Sequence, residues 1–180
     1  AVQVGQTFHP IATATSDLVV TFTTNDPAVC SIEADALVHF NGEGSCVLTY
    51  SQSGDSNWLP TDPEDPTLSF SIEIGRIEQT ISFVQDFEVP SDVAYGSSAF
   101  EVQAIASSGL PVSFEVSATP ADVCAISNST NSILVSVGKI GTCTITALQG
   151  GDFMYIGTES QPQTFTVNPV APGKPTITSV

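Results

Sequence analysis

Basic side chains are nearly missing from this sequence. Arg76, Lys139 and Lys174 are the whole complement, set against 19 acidic residues for a formal net charge of −16. Binding to nucleic acid or anionic lipid needs clustered Lys and Arg to neutralise phosphate, so nucleic acid is excluded as a partner. Helix-period apolar spacing is missing too, and no apolar run approaches the ~20 residues that cross a bilayer, so membrane insertion is not expected. No basic-then-apolar leader opens the chain, which reads as an excised piece of a longer protein. Histidine is scarce (His9 and His39), no two cysteines have C-x-x-C spacing, and no G-x-S-x-G elbow occurs. These absences remove the usual zinc, dithiol-redox and hydrolase signatures.

What is present is strand chemistry. Hydrophobic residues make up 41% of the chain and charged residues only 12%, so the negative charge does not signal disorder. Apolar residues alternate with polar ones at period two, the mark of a half-buried strand. Phe100, Val102, Ala104 and Ala106 share one face; so do Val112, Phe114 and Val116, then Ile133, Val135 and Val137, then Cys143, Ile145 and Ala147. Turn residues separate these runs at Ser107–Gly109, Thr119-Pro120, Gly138–Gly141 and Gly150–Asp152. Short strands about ten residues apart predict an all-β chain of antiparallel sandwiches.

The chain also repeats itself. Gly44–Trp58 (GSCVLTYSQSGDSNW) and Gly141–Tyr155 (GTCTITALQGGDFMY) share Gly44/Gly141, Cys46/Cys143, Thr49/Thr146, Gln52/Gln149, Gly54/Gly151 and Asp55/Asp152 at a constant offset of 97. Phe8–Phe22 aligns with Phe100–Phe114 at offset 92, and Phe70-Ser-Ile72 aligns with Phe165-Thr-Val167 at offset 95. Loops change length between the copies while strands keep their pattern. The second copy opens with Gln79-Thr-Ile-Ser-Phe83 and a loop to Gly96; the first has only Ala1–Val4 before Gly5, a first strand either short or truncated. The expected domains are 1–75 and 76–169, with 170–180 as a Pro-rich linker. Cys30 and Cys46 fall in the first copy, Cys124 and Cys143 in the second. One disulfide per domain, formed in an oxidising compartment, is one reading; four buried free thiols are the other.

The motifs QTISF, DVAYGSSAFEVQAIASSGLPVSFEV, VCAI, GTCTITALQGGDFMY and QTFTVN, in that order over 79–168, resemble the bacterial immunoglobulin-like repeats of large secreted and surface-attached proteins. Copy one matches less closely, lacking QTISF and carrying SDLVVTF where the family has SSGLPVSF. The tail APGKPTITSV resembles the start of a fibronectin type III domain. The resemblance implies two tandem immunoglobulin-like β-sandwiches. These would form a spacer or stalk of a bacterial adhesin-like protein at the cell surface or outside the cell, presenting other domains. Its partners would be neighbouring repeats of the same parent chain, and the piece would be a monomer. The family has no shared catalytic residues, so no enzyme is expected.

Candidate sites are few. His9 or His39 could serve a hydrolase only with a nucleophile and carboxylate brought to them. Asp62, Glu64 and Asp65, in the Pro60–Pro66 loop, could be the paired acids of a glycosidase. Structural Ca²⁺ is the more serious option, because it takes loop carboxylates. The candidates are Asp55, Asp62, Glu64 and Asp65, with Asp152 as the repeat of Asp55, or the junction near Glu73 and Glu78. Against this, Asp after Gly also caps its own turn. Trp58, aligned with Tyr155, could stack on a sugar of a surface glycan or contact a receptor; the plainer reading is a ring plugging the sandwich end. Lys139, in a Gly-flanked turn, is poorly placed for an isopeptide crosslink.

Overall fold

The computed structural model describes residues 2–62 and 65–173. Ala1, Glu64 of the acidic loop, Lys174 and the 174–180 part of the linker lie outside them. The chain divides into two compact units, Ala1–Glu78 with Asp152–Ile156, and Gln79–Gly151 with Gly157–Val180. Apart from one 3₁₀ turn at Pro66–Leu68, the regular structure among the described residues is strand.

In the first unit the strands are β1 (Val2–Gln3), β2 (Thr7–Phe8), β3 (Thr21–Thr24), β4 (Cys30–Ile32), β5 (Val38–Phe40), β6 (Gly44–Ser51) and β7 (Ser69–Gly75). They form two sheets, ordered β1-β7-β6-β3 and β2-β5-β4. The second unit contains β8 (Ile81–Phe83), β9 (Asp92–Ala94), β10 (Phe100–Ala106), β11 (Ser113–Thr119), β12 (Cys124–Ser129), β13 (Ser132–Val137), β14 (Gly141–Gly151) and β16 (Gln163–Asn168), with β15 (Ile156–Glu159, in this unit from Gly157 on) pairing β14. Its sheets are ordered β12-β13-β10-β8 and β11-β14-β16-β9. Two strand pairs, β1 with β7 and β9 with β16, are parallel; β1 is the first strand of its unit and β9 the second of its own.

The alternation read from the sequence sets the cores. Val102, Ala104 and Ala106 of β10, Phe114 of β11, Ile133 and Val135 of β13 and Cys143, Ile145 and Ala147 of β14 are buried together with Phe165 and Val167. Between them Ile105 and Leu134 stand half exposed on the outer face. The first core is smaller: Val4, Cys30, Val38, Phe40, Cys46, Leu48 and Ile74. In each unit one sheet supplies one cysteine and the facing sheet the other. Cys30 of β4 is bonded to Cys46 of β6, and Cys124 of β12 to Cys143 of β14, with Cα separations of 5.8 and 6.1 Å. Those spacings lie in the ordinary disulfide range, and no free cysteine is left among the described residues.

The structure revises three readings of the repeat. The opening of the second copy holds two strands, not one: β9, in the segment between Phe83 and Gly96, pairs with β16 at Val93↔Val167. Val2–Gln3 is the counterpart of β9, since Val2 pairs with Ile74. Nothing among the described residues of the first unit corresponds to β8. The last strands align differently as well. Cys46 faces Ile72 and Cys143 faces Phe165, so Ile72 and Ile74, not Phe70 and Ile72, stand where Phe165 and Val167 stand. A slip of two residues keeps the same face, so the apolar pattern cannot detect it. Finally, β2 stops at Phe8, where β10 runs on to Ala106. Pro10 offers no N–H to a ladder, and among the described residues no strand pairs with residues 12–14.

A disulfide that closes 16 or 19 residues across the core should contribute about 3 kcal/mol to its own unit. Calorimetry with and without reductant should therefore show both unfolding transitions moving down in temperature on reduction. An unchanged thermogram would mean the bonds do not bear on the fold.

Candidate functional site

The repeated Gln-x-Gly-Asp stretch is a turn built by side chains. Gly54 N–H donates to Gln52 Oε1 at 2.9 Å, and Gly151 N–H donates to Gln149 Oε1. Asp55 Oδ1 accepts from the N–H groups of Asn57 (2.7 Å) and Trp58 (2.9 Å). Asp152 Oδ1 accepts from Met154 and Tyr155, both at 2.8 Å. Gly54 and Gly151 have φ of +73° and +77°, the left-handed region where a Cβ is costly. A Cβ at Gly54 would also lie 2.5 Å from Trp58 O and 2.7 Å from Pro60 N. The aspartates expected to bind Ca²⁺ or cap a turn therefore have one carboxylate oxygen engaged as turn acceptors.

The acidic loop behaves similarly. Asp65 caps the Pro66–Leu68 turn, its Oδ1 accepting from Thr67 N–H at 2.9 Å and Thr67 Oγ1–H at 2.7 Å. The Thr67 hydroxyl, then its N–H, hold the Asp65 carboxyl below its ordinary value, since both bonds favour the charged form. Among the described residues no group of three or more His, Cys, Asp or Glu side chains is placed to hold a metal ion. His39, on β5, has Nε2 3.1 Å from Glu33 Oε1, and His9 is exposed. Lys139 pairs with Asp122 at 3.1 Å on an exposed turn. Trp58 is 48% exposed, so the indole is not a sealed plug; it stands at the rim of a groove with Leu59, Tyr50 and Leu68.

Buried glutamines are the feature that reading for catalytic groups overlooked. Gln52, Gln79 and Gln149 are nearly inaccessible. In the second unit Gln79 lies between two partners: Ser108 Oγ donates to Gln79 Oε1, and Gln79 Nε2 donates to Gln149 Oε1. In the first unit Gln52 Nε2 reaches Ser16 Oγ directly at 3.3 Å. The identity Gln52/Gln149 in the repeat was the available signal, since a buried amide persists only when its hydrogen bonds are met.

No protein-family model and no curated protein sequence matches the chain. Among solved structures, domains 4 and 5 of the S-layer protein SbsC align with a TM-score of 0.38 and 16% identity, covering 88% of this chain and 75% of that one. Human protocadherin-24 EC1-2 aligns at 0.43 and 14%, covering 96% and 94%. The human desmocollin-1 ectodomain aligns at 0.41 and 12%, covering 96% of this chain and 39% of that one. At these values neither a function nor a residue role is transferred.

Two outcomes follow from the turn chemistry. Gly54→Ala should destabilise the first unit by more than about 1 kcal/mol, read as a lowered denaturation midpoint; an unchanged midpoint would contradict the strained turn. A carboxyl lowered on folding adds stability above the unfolded value and loses it as pH falls through the folded one. The carboxyl-carbon NMR titration of Asp65 should thus have its midpoint below that of an ordinary aspartate. Thr67→Val should move the midpoint up, and an ordinary midpoint in the parent protein would refute the capping account.

Proposed function

We propose that the chain is a load-bearing spacer: two tandem immunoglobulin-like repeats of a large extracellular bacterial surface protein, holding other domains apart and presenting them. The observation that carries this reading is that in both units the last strand pairs in parallel with a strand near the start of the unit, Val2↔Ile74 with Gln3↔Gly75 on β1, and Asp92↔Thr166 through Ala94↔Asn168 on β9, which follows β8. When the two ends of such a unit are pulled apart, parallel neighbours slide lengthwise past each other. Their hydrogen bonds are then loaded together in shear rather than one after another. The bonds that flank the ladders extend the same patch. Val4 N–H donates to Gly75 O at 3.1 Å, Tyr95 N–H to Asn168 O at 2.8 Å, and Thr166 N–H to Ser91 O at 3.1 Å. Asn168 Nδ2 donates to Asp92 Oδ1 at 3.0 Å across the same pair of strands.

Two further properties support the reading. Disulfides buried across each core suit an oxidising, extracellular setting, and they cap how far a unit lengthens once its strands part. Dense negative charge, −16 over 180 residues, opposes association between copies of the chain and between neighbouring repeats. The partners in this reading are the adjoining repeats of the same polypeptide, and the piece is a monomer without catalytic activity.

Tyr95→Pro tests the shear patch directly. It deletes the N–H that donates to Asn168 O, while the Tyr95 side chain is half exposed and little packing is lost. Constant-velocity pulling should show the second unit's rupture force reduced and the first unit's unchanged. Equal rupture forces in variant and parent would remove the basis of the spacer reading.

A further inference from the structure

The dipeptide Asn-Gly occurs once in the sequence, at Asn41-Gly42, in the turn between β5 and β6. With no Cβ, glycine leaves its own backbone nitrogen unshielded, so that nitrogen can reach the carboxamide of the asparagine before it. In the folded unit both partners of that reaction are engaged. Asn41 Nδ2 donates to Pro27 O at 3.0 Å and to Ser31 Oγ at 2.9 Å. Gly42 N–H donates to Val29 O at 3.1 Å, next to the Asn41 N–H, which reaches the same oxygen at 2.8 Å. The main chain is closely packed here as well: a Cβ at Gly42 would lie 2.8 Å from Ala28 O.

The second unit makes the same turn without that chemistry. The N–H groups of Gly138 and Lys139 both donate to Val123 O, at 2.8 and 3.4 Å, and neither residue carries a carboxamide. Only in the first unit does a side-chain amide tie this turn to the segment around β4. The turn also sits beside the smaller core. Phe40, the residue before Asn41, pairs with Cys30, and β6 beyond the turn carries Cys46. Phe40, Cys30 and Cys46 are three of the seven buried members of that core.

We propose that Asn41-Gly42 is a self-modifying site that records opening of the first unit. When the turn is open, the Gly42 nitrogen passes its proton to solvent base and attacks Asn41 Cγ. The Cγ–Nδ2 bond breaks, ammonia leaves and a five-membered cyclic imide forms. Water then adds to one of the two imide carbonyls and opens the ring to aspartate or isoaspartate at position 41. No oxidant, reductant or co-reactant beyond water is needed. In the closed turn, the bonds to Val29, Pro27 and Ser31 withhold both reacting groups, so the rate follows the population of the open form. The product cannot rebuild the turn. A carboxylate has no N–H to give Pro27 O, and isoaspartate adds one atom to the main chain next to Phe40. Each opening thus carries a chance of a permanent loss of stability in the first unit. The proposal rests on this turn and not on the load-bearing reading, since any cause of opening would register.

The test incubates residues 1–180, disulfides intact, at mildly alkaline pH in buffer and in denaturing guanidinium. Cleavage after Glu33 and Glu43 then releases the cysteine-free peptide 34–43. Its amide-to-acid mass gain and its isoaspartate content are read by chromatography and mass spectrometry. Conversion should be at least about tenfold faster in guanidinium than in buffer. Ser31→Ala, on a residue outside the buried core, removes one anchor of the carboxamide. It should speed conversion in buffer and leave the rate in guanidinium unchanged. Chain converted in guanidinium and returned to buffer should show a lowered melting temperature for the first unit, and Asn41→Asp should show part of that loss. Equal conversion rates in buffer and guanidinium would overturn the proposal. So would a Ser31→Ala rate in buffer equal to the parent's, or a converted chain whose first unit melts at the parent temperature.

Discussion

Everything in this molecule depends on two thin sheets being held face to face. The contact between β4 and β6 in the first unit, and between β12 and β14 in the second, is made covalent by a disulfide that crosses the core. The bond matters more in the first unit. Among the described residues its buried cluster has seven members against fifteen in the second, and two of the seven are the cysteines themselves. Burial supplies roughly 25 cal/mol per Å² of apolar surface, so a smaller cluster leaves less margin against the chain entropy that folding removes. Leu48, Val38 and Phe40 are then held in place by a core that the sulfurs help to close.

The same arrangement converts to mechanics through its ends. A unit whose last strand lies side by side and parallel with a strand near its start meets tension with its backbone hydrogen bonds loaded together. Once those bonds part, the disulfide keeps the segment between its cysteines from paying out. Resistance comes from the sheet edge where β9 meets β16; limited extensibility comes from the core. The acidic surface acts on a third scale, between molecules, where like charges discourage association that bare sheet edges invite.

Much of this was legible in the residues. Period-two alternation identified the buried face of β10, β13 and β14 residue by residue, because a strand with one face on a core has little freedom in register. The sharing of cysteines, two to each copy, anticipated which sulfurs would meet. Other features were hidden for physical reasons. β9 is three residues long and carries no alternation long enough to register. The two-residue offset between Phe70 and Phe165 leaves the same face buried, so pattern matching accepts either alignment. Trp58 was read as a plug for the sandwich end because its counterpart Tyr155 follows a strand. In the first unit the ring stands half exposed and lines a groove with Tyr50 and Leu68. Gln52 and Gln149 look like surface residues by type; their burial becomes intelligible only with Gly54, Ser16, Gln79 and Ser108 placed around them.

Pulling single molecules before and after reduction tests the central claim most directly, because it reads where each chain is locked. If each unit carries its own disulfide, the two unfolding steps should each lengthen on reduction. The sequence separations of 16 and 19 residues, at about 3.5 Å per residue less the folded span, give gains of roughly 50 and 60 Å. A single unfolding step, or one gain far larger than both, would mean that the sulfurs join the two halves instead of closing each one, and the account would fail.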